Sequence, residues 1–392
     1  MNEGLKRQVL QLISQWEKEQ LDFLISLCNQ NSYSYNKQGT DCVSALVCKK
    51  LEGIFPVHRV MHQEKAGDLH ILKTGEKGKP IFLLGHTDTV FPPDHPFQTC
   101  RRDGEWLRGP GTADMKGGLA VMVYALKALH RVCPEELPGI AVILGADEEI
   151  GSVTSRKVYD RESKKACLCL VGECAGKRGE IVVSRNGKAG GRMEISGRSS
   201  HVGAEKKEKA SAILELAHKV IDLESLNDRF PGVRANVGHI EGGLGPGTIP
   251  AQASLLFDLR WREEEHYARL VKMVRKIAAT RKHPHCTSRV TFLNHRPAMP
   301  PSEKTKKFVF LLRQTAKELG QRVPSEHRQG TSDGNFFAAG GVPTIDGFGP
   351  IGLHDHTSEE RILISSLKDR TALLAVFLLR LKDTKIRQGD PA

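Results

Sequence analysis

Residues 83–90 read LLGHTDTV, and this stretch decides how the chain folds. An aliphatic run, IFLLG, ends abruptly at His86, and Asp88 follows two residues later. A run that is apolar at every position is typical of a strand covered on both faces, because a strand with one wet face alternates polar and apolar residues. Ionisable side chains directly after such a strand indicate a functional site at its carboxyl end.

Two further aliphatic runs end in the same way. IAVILGA leads to Asp147, Glu148 and Glu149, and CLCLVG leads to Glu173. Helical patterns lie between the strands, including the N-terminal segment and residues 41–51 and 116–131. This alternation predicts an α/β domain whose central sheet is covered by helices on both faces. In such open sheets ligands bind beyond the carboxyl ends of the strands.

The pattern changes after Asn186. A strand (GRMEISG) precedes a helix over about 208–223, two strands (VRANVGHIEGG and ASLLFDLRW), a helix over about 263–279 and a last strand (SRVTFLN). The order βαββαβ is that of a ferredoxin-like α+β sandwich. We therefore predict an inserted domain at 188–297. Residues 1–187 and 298–392 would form the first domain, which resumes with a helix over 302–320.

Composition narrows the function classes. The 392 residues suit two domains, and 58 basic against 46 acidic residues give a net charge of +12. The basic residues are spread along the chain, so we expect a solvated surface and no nucleic-acid partner. Nine scattered cysteines form no disulfide framework, which favours a reducing compartment. No segment is apolar enough for a signal or a membrane span, and the prediction is a cytoplasmic protein without a membrane partner.

The clustered acids and histidines indicate a metal centre. The loop GPGTADMKGG contributes Asp114 but lacks the spacing of a phosphate loop, while GFGPIGLHDHTSEERI offers His354 and His356. Several acids at one sheet edge would repel one another unless cations neutralised them. Imidazoles mixed with carboxylates suit zinc, with cobalt or manganese possible. In such sites one carboxylate can bridge two ions about 3.5 to 4 Å apart. Of the neighbours Glu148 and Glu149, one can bind metal while the other acts as a base.

The sequence resembles the dinuclear zinc amidohydrolases and exopeptidases. This family includes glutamate carboxypeptidase of the carboxypeptidase G type, acetylornithine deacetylase, succinyl-diaminopimelate desuccinylase and aminoacylase. The resemblance covers nearly the whole chain and rests on GHTDTV, GTADMKGG, ADEEIGS, GRSSHVG, TIPAQA and TSDGNF, in that order. It implies a zinc exopeptidase-like fold, with a mixed central sheet and an inserted ferredoxin-like lid and dimerisation domain.

The resemblance also implies roles for single residues. Asp114 would bridge two Zn²⁺ ions in each subunit, and the other ligands would be His86 and Glu173 at one ion and Glu149 and His356 at the other. His354 is an alternative to His356. Asp88 would orient the imidazole of His86, and Glu148 would be the general base. His201 would reach the partner subunit's active site in a homodimer and stabilise the tetrahedral oxyanion.

Substrate recognition is implied in the same way. Arg260 and Arg296 match positions that hold the substrate's free carboxylate. The backbone around Gly330 and Thr331 would also contact that carboxylate. The family commonly has an asparagine where this chain has Gly247, so a polar contact to the substrate is missing or supplied elsewhere.

We therefore expect a metal-dependent hydrolase that cleaves the amide bond of an N-acyl amino acid or a peptide with a free C-terminal carboxylate. A metal-bound hydroxide would attack the carbonyl, and a C-terminal glutamate is the first expectation for the substrate. A deacetylase, a desuccinylase, a dipeptidase and an aminopeptidase on the same scaffold are the alternatives. Outside this class, the chain could be an inactive metal-binding or nucleic-acid-binding protein.

Overall fold

The computed structural model describes residues 2–75, 78–134, 139–204, 209–227 and 229–382. The chain forms two compact units. The first comprises Met1–Ser184, Pro301–Arg328 and Ser332–Ala392, and the second comprises Arg185–Pro300 with Gln329–Thr331. The boundaries expected from the sequence, 187/188 and 297/298, differ from these by three residues each. The lid and dimerisation roles stay predictions.

The helices of the described chain are α1 (Glu3–Gln15), α2 (Glu17–Asn29), α3 (Lys37–Lys50), α4 (Gly117–Val132), α5 (Arg156–Ser163), α6 (Ala212–Glu224), α7 (Glu265–Ala279), α8 (Glu303–Glu318), α9 (Gly334–Ala339) and α10 (Ile364–Lys382). An irregular turn, Thr112–Lys116, leads into α4, and the peptide bond between Asp114 and Met115 is cis.

The strands are β1 (Val57–Met61), β2 (Leu69–Lys73), β3 (Ile81–His86), β4 (Arg101–Asp103), β5 (Trp106–Arg108), β6 (Ile140–Gly145), β7 (Leu168–Val171), β8 (Ile181–Arg185), β9 (Gly187–Ser196), β10 (Ser200–His201), β11 (Arg234–Gly242), β12 (Thr248–Ile249), β13 (Gln252–Trp261), β14 (Thr287–Arg296), β15 (Ser325–Arg328), β16 (Thr344–Ile345), β17 (Gly352–Leu353) and β18 (Arg361–Leu363).

The first unit is built on a mixed six-stranded sheet in the order β1-β2-β6-β3-β7-β16. The strands β6, β3, β7 and β16 are parallel, while β1 and β2 are antiparallel additions. Alternate residues of β3 enter two separate cores: Leu83 packs in the cluster with α4 and α10, and Phe82 and Leu84 pack in the cluster with α5 and α9. The sheet is therefore covered on both faces, as the aliphatic run predicted.

The second unit contains the predicted ferredoxin-like arrangement. Its four-stranded antiparallel sheet has the order β11-β13-β9-β14, and α6 and α7 pack against it. Residues such as Trp261, Leu259 and Met193 form a core separate from those of the first unit. The helix expected from about residue 208 begins at Ala212, where Ser211 caps it by accepting the N–H of Leu214. Residues 205–208 lie outside the described part of the chain.

The structure also shows the state of the cysteines and the apolar character of the helices. All nine cysteines are free thiols. Among the described residues, no helix combines the length and the apolar character that crossing a membrane requires. The mixed α/β fold with an inserted α+β unit is confirmed.

Candidate active site

Three neighbouring parallel strands deliver the acidic and imidazole groups to one edge of the sheet. β3 ends at His86, β6 is followed by Glu148 and Glu149, and β7 is followed by Glu173. Because β6, β3 and β7 lie side by side and run in the same direction, their carboxyl ends meet. The residues that follow them are brought together by the sheet itself.

Asp114 lies at the centre of this group. Its Oδ1 lies 3.0 Å from Nε2 of His86, and its Oδ2 lies 3.1 Å from Nε2 of His356. One carboxylate thus contacts two imidazoles through separate oxygens. This is the arrangement that a carboxylate bridging two cations requires.

Each imidazole also contacts a carboxylate of its own. Oε1 of Glu173 lies 3.6 Å from Nε2 of His86, and Oε2 of Glu149 lies 3.0 Å from Nε2 of His356. In the part of the chain that the structure describes, His356 and not His354 makes these contacts. The side chain of His86 is only 1% exposed and that of His356 is 52% exposed, so the group is open to solvent on the His356 side.

Asp88 connects the imidazole of His86 to the turn that carries the adjacent glutamates. Nδ1 of His86 lies 3.0 Å from the backbone oxygen of Asp88 and 3.2 Å from its Oδ1. The buried carboxylate also accepts the N–H groups of Glu148 and Glu149 at 3.2 and 3.1 Å and the hydroxyl of Ser34 at 2.7 Å. One aspartate therefore orients the histidine and fixes the glutamates.

Glu360 holds the loop that carries Asp114, a role that sequence reasoning missed. Its buried carboxylate accepts the backbone N–H of Gly111 at 2.9 Å, of Ala113 at 2.8 Å and of Asp114 at 3.0 Å. Its position four residues after His356 was visible in the sequence. The partners, which lie about 250 residues earlier in the chain, were not.

Burial and crowding shift the proton affinities of the site. Burial, together with the charge of Asp114, raises the pKa of Glu173 to about 8 and raises that of Glu149 well above its usual range. Hydrogen bonds with Asp114 and Glu149 raise the pKa of His356 to about 11. Burial opposes protonation of His86, but the carboxylates around it raise its pKa overall. Without cations, the group retains protons because it carries an excess of buried negative charge.

This donor set fits divalent metal ions. Ligand atoms of His86, Asp114 and Glu149 lie within 4.8 Å of one another, and Glu173 and His356 contact the same group. Imidazole nitrogens with carboxylate oxygens are ligands that zinc, cobalt and manganese accept, and two divalent ions would offset the charge that the protons now offset. Asp147 stands apart, because its buried carboxylate accepts from Thr154 and Ser155 and fixes the following turn.

His201 belongs to the second unit, where β10 pairs with β12 and His201 lies opposite Thr248. Its Nδ1 accepts the backbone N–H of Gly203 at 3.1 Å. A neutral imidazole that accepts at Nδ1 carries its proton on Nε2. The exposed side chain therefore presents an N–H donor. Gly247 is next to this histidine, since its carbonyl accepts the N–H of Val202 at 3.0 Å.

The second unit also contains a row of three cations. Lys188 on β9 lies directly opposite Arg260 on β13 and Arg296 on β14, so the three side chains lie on one face of the sheet. Asp258 is an acidic neighbour, with Oδ1 at 2.6 Å from Nε of Arg260 and Oδ2 at 3.8 Å from Nζ of Lys188. The position of Lys188 beside the two arginines could not be predicted from the sequence, because it depends on strand register.

Gly330 and Thr331 belong to the second unit, although the chain before Gln329 and after Thr331 belongs to the first. Nη1 of Arg296 donates to Oγ1 of Thr331 at 3.3 Å, and Nη1 of Arg185 donates to the carbonyl of Gly330 at 3.3 Å. The structure therefore groups Gly330 and Thr331 with Arg296, and it adds Arg185.

Comparisons with known proteins show the family of the chain. Carboxypeptidase G2 from Pseudomonas sp. (strain RS-16) is 30% identical over 314 residues, which cover 78% of this chain and 75% of that protein. Succinyl-diaminopimelate desuccinylase from Pseudoalteromonas atlantica is 31% identical over 329 residues, covering 78% and 84%. The crystal structure of aminopeptidase PepT from Bacillus cereus ATCC 10987 has the same fold, with a TM-score of 0.74 at 23% identity over 93% of this chain and 98% of that one. The model of Peptidase family M20/M25/M40 matches residues 82–380, and the chain belongs to this family of metal-dependent hydrolases.

Proposed function

We propose that the enzyme holds two Zn²⁺ ions at the group centred on Asp114. Asp114 would bridge the ions, with His86 and Glu173 at one and Glu149 and His356 at the other. The observation that carries this proposal is the division of the Asp114 carboxylate, whose two oxygens contact different imidazoles at 3.0 and 3.1 Å. When bound, the ions would acidify a water molecule and polarise the scissile carbonyl.

The protein's own groups would handle the proton and the developing charge. Glu148 is buried, and its backbone is fixed by Asp88. It would take the proton of the attacking water and return it to the leaving nitrogen. His201 would reach the partner subunit's active site and donate its Nε2–H to the oxyanion of the tetrahedral intermediate, since Nδ1 is engaged with Gly203. Asp88 would keep the imidazole of His86 in the tautomer that offers Nε2 as a ligand.

The substrate we favour is an N-acylated or peptide-linked amino acid with two carboxylates, such as a C-terminal glutamate. Lys188, Arg260 and Arg296 carry three positive charges on one face, and Asp258 offsets one. This cluster of positive charge suits a substrate with carboxylate groups, and guanidinium groups bind carboxylates through paired hydrogen bonds. The resemblance to carboxypeptidase G2 supports the same choice.

A desuccinylase is the second candidate. The match to succinyl-diaminopimelate desuccinylase favours it, because a succinyl amide also carries a carboxylate, although on its acyl side. An assay with zinc-loaded enzyme separates the two. We expect faster cleavage of N-acetyl or N-benzoyl glutamate than of N-succinyl alanine or the α-amide of the glutamate substrate. Preference for a free amino terminus would instead identify an aminopeptidase.

Assembly and location are part of the proposal. The sheet of the second unit leaves apolar side chains exposed, including Ile240, Leu256 and Leu293. Leu256 lies on the face away from the core, because its neighbour Leu255 is buried in the core, and a homodimer through this face would cover Leu256. Light scattering after size-exclusion chromatography should give twice the chain mass, and a monomeric mass contradicts the dimer. Nine free thiols favour a reducing compartment such as the cytoplasm.

A further inference from the structure

A second group of metal-binding side chains lies in the first unit, away from the residues of the proposed active site. Cys48 comes from α3, His58 from β1 and His70 from β2. Their spacings of ten and twelve residues match no metal-binding motif. Among the described residues, only this group and that of His86 bring three potential ligands of these types within 4.8 Å.

Strand pairing explains why the two imidazoles meet. On the antiparallel pair β1–β2, Val60 lies opposite His70, and His58 lies opposite Leu72. His58 and Val60 share a face because side chains alternate along a strand, so His58 and His70 are diagonal neighbours on one face. Cys48, in the last turn of α3, lies next to both rings.

The distances suit one tetrahedral ion. Nε2 of His58 lies 2.9 Å from Nδ1 of His70, and Sγ of Cys48 lies 3.6 Å from His70 and 3.9 Å from His58. Zinc bonds of about 2.0 Å to nitrogen and about 2.3 Å to sulfur place tetrahedral ligands about 3.3 Å apart for two nitrogens and about 3.6 Å apart for sulfur and nitrogen. Small side-chain rotations would bring the donors to these separations.

The protonation states allow metal binding. Burial and the neighbouring His58 lower the pKa of His70, so its imidazole is neutral near pH 7, which is the form that binds metals. Burial raises the pKa of Cys48 to about 11, and a bound cation would displace the thiol proton. Cys48 and His58 also line a surface pocket with Glu52, which gives a water molecule or that carboxylate room to act as a fourth ligand.

We propose that Cys48, His58 and His70 form an additional binding site for a borderline-soft divalent cation, Zn²⁺ in the first place. Thiolate with imidazole favours such ions over Mg²⁺ or Ca²⁺. The ion would link α3 to β1 at the edge of the central sheet. The hydrogen bond between the histidines joins β1 to β2, so the ion would add a link from both strands to α3.

Cobalt(II) titration of the full-length enzyme tests this site without an activity assay. The proposed active-site ligands are nitrogen and oxygen donors, so a thiolate-to-cobalt charge-transfer absorption in the near ultraviolet would report on Cys48. We expect this band in the native enzyme, its loss in Cys48→Ser, and its retention in Cys42→Ser. Cys42 is the matched control because it lies exposed on the same helix.

His58→Asn and His70→Asn keep all nine thiols and separate metal binding from simple thiol reactivity. Both variants should lower the affinity for cobalt(II), measured from this absorption band, at least tenfold. Zinc analysis should find one ion fewer per chain in Cys48→Ser than in the native enzyme. His58 is exposed, so its variant keeps the test valid if Cys48→Ser does not fold. A band that survives in Cys48→Ser, or equal zinc contents, would overturn the proposal and leave a hydrogen-bonded histidine pair.

Discussion

Replacing Glu360 by glutamine tests whether this residue controls metal binding through the loop of Asp114. Oε1 accepts the N–H groups of Ala113 and Asp114, and an amide oxygen can keep both bonds. Oε2 accepts the N–H of Gly111 at 2.9 Å, where an amide would present its own N–H. One buried donor then loses its acceptor, which costs about 1–3 kcal/mol. We expect zinc affinity to fall about 10- to 100-fold, the range typical of carboxylates that support metal ligands.

The protonation state of Glu360 separates the effect on stability from the effect on zinc affinity. Burial, with the charge of Asp114, raises the pKa of Glu360 to about 8 in the chain without cations. Near pH 7 the carboxyl of the metal-free enzyme is therefore largely protonated, and glutamine matches its charge but not its acceptor for the N–H of Gly111, so the free energy of unfolding should fall by about 1–3 kcal/mol. Cations on Asp114 would favour the ionised form of Glu360, which glutamine cannot adopt, so the variant should lose zinc affinity in addition to stability.

Competition with a chromophoric zinc chelator measures the affinity, and urea unfolding of the metal-free protein measures stability. Glu359→Gln is the matched control. Glu359 is 59% exposed and pairs with Arg108 at 2.7 Å, so it should contribute about 0–1 kcal/mol and leave zinc affinity unchanged. Native zinc affinity in Glu360→Gln would refute the reasoning.

Three further predictions concern catalysis, stability and substrate contact. Glu148→Ala should lower kcat about 100- to 10,000-fold with zinc content unchanged, measured by steady-state hydrolysis and metal analysis; full retained activity rules out its role as base. Glu215 has its pKa lowered because Lys219 at 2.8 Å and the N–H groups of Lys282 and His283 outweigh the effect of burial. The contribution of Glu215 to the free energy of unfolding is therefore complete above its unfolded-state pKa of about 4.3 and is lost as the pH falls through the lower folded-state value. In urea unfolding, Glu215→Gln should have a lower free energy of unfolding than the native enzyme at pH 6, and the difference should shrink towards pH 3. Gly247 leaves open space for a side chain, with no atom within 4 Å of an added Cβ. If an asparagine there contacts the substrate, Gly247→Asn should raise kcat/KM up to about tenfold, and an unchanged value means that the contact is supplied elsewhere.

The sequence predicted those parts of the molecule that depend on local pattern. Aliphatic runs gave the parallel strands, because a strand covered on both faces has no polar alternation. The ionisable residues at the ends of these strands predicted the sheet edge at which His86 and Glu173 meet. Features that depend on strand register could not be predicted from the sequence. Lys188 beside Arg260 is one example, and His58 beside His70 is another, because diagonal and opposite neighbours are fixed by pairing and not by spacing.

The central role of Asp88 explains why a fully buried strand ends in LLGHTDTV. The proposed metal ligand and general base must each be held within a fraction of an ångström of its working position, although His86 ends one strand and Glu148 follows another. Asp88 contacts the imidazole of one and the backbone N–H of the other, so a single carboxylate fixes both. Because this carboxylate is buried and receives several donors, it has no solvent to turn towards. The fold thus couples the proposed metal binding and proton transfer through one rigid group at the end of one strand.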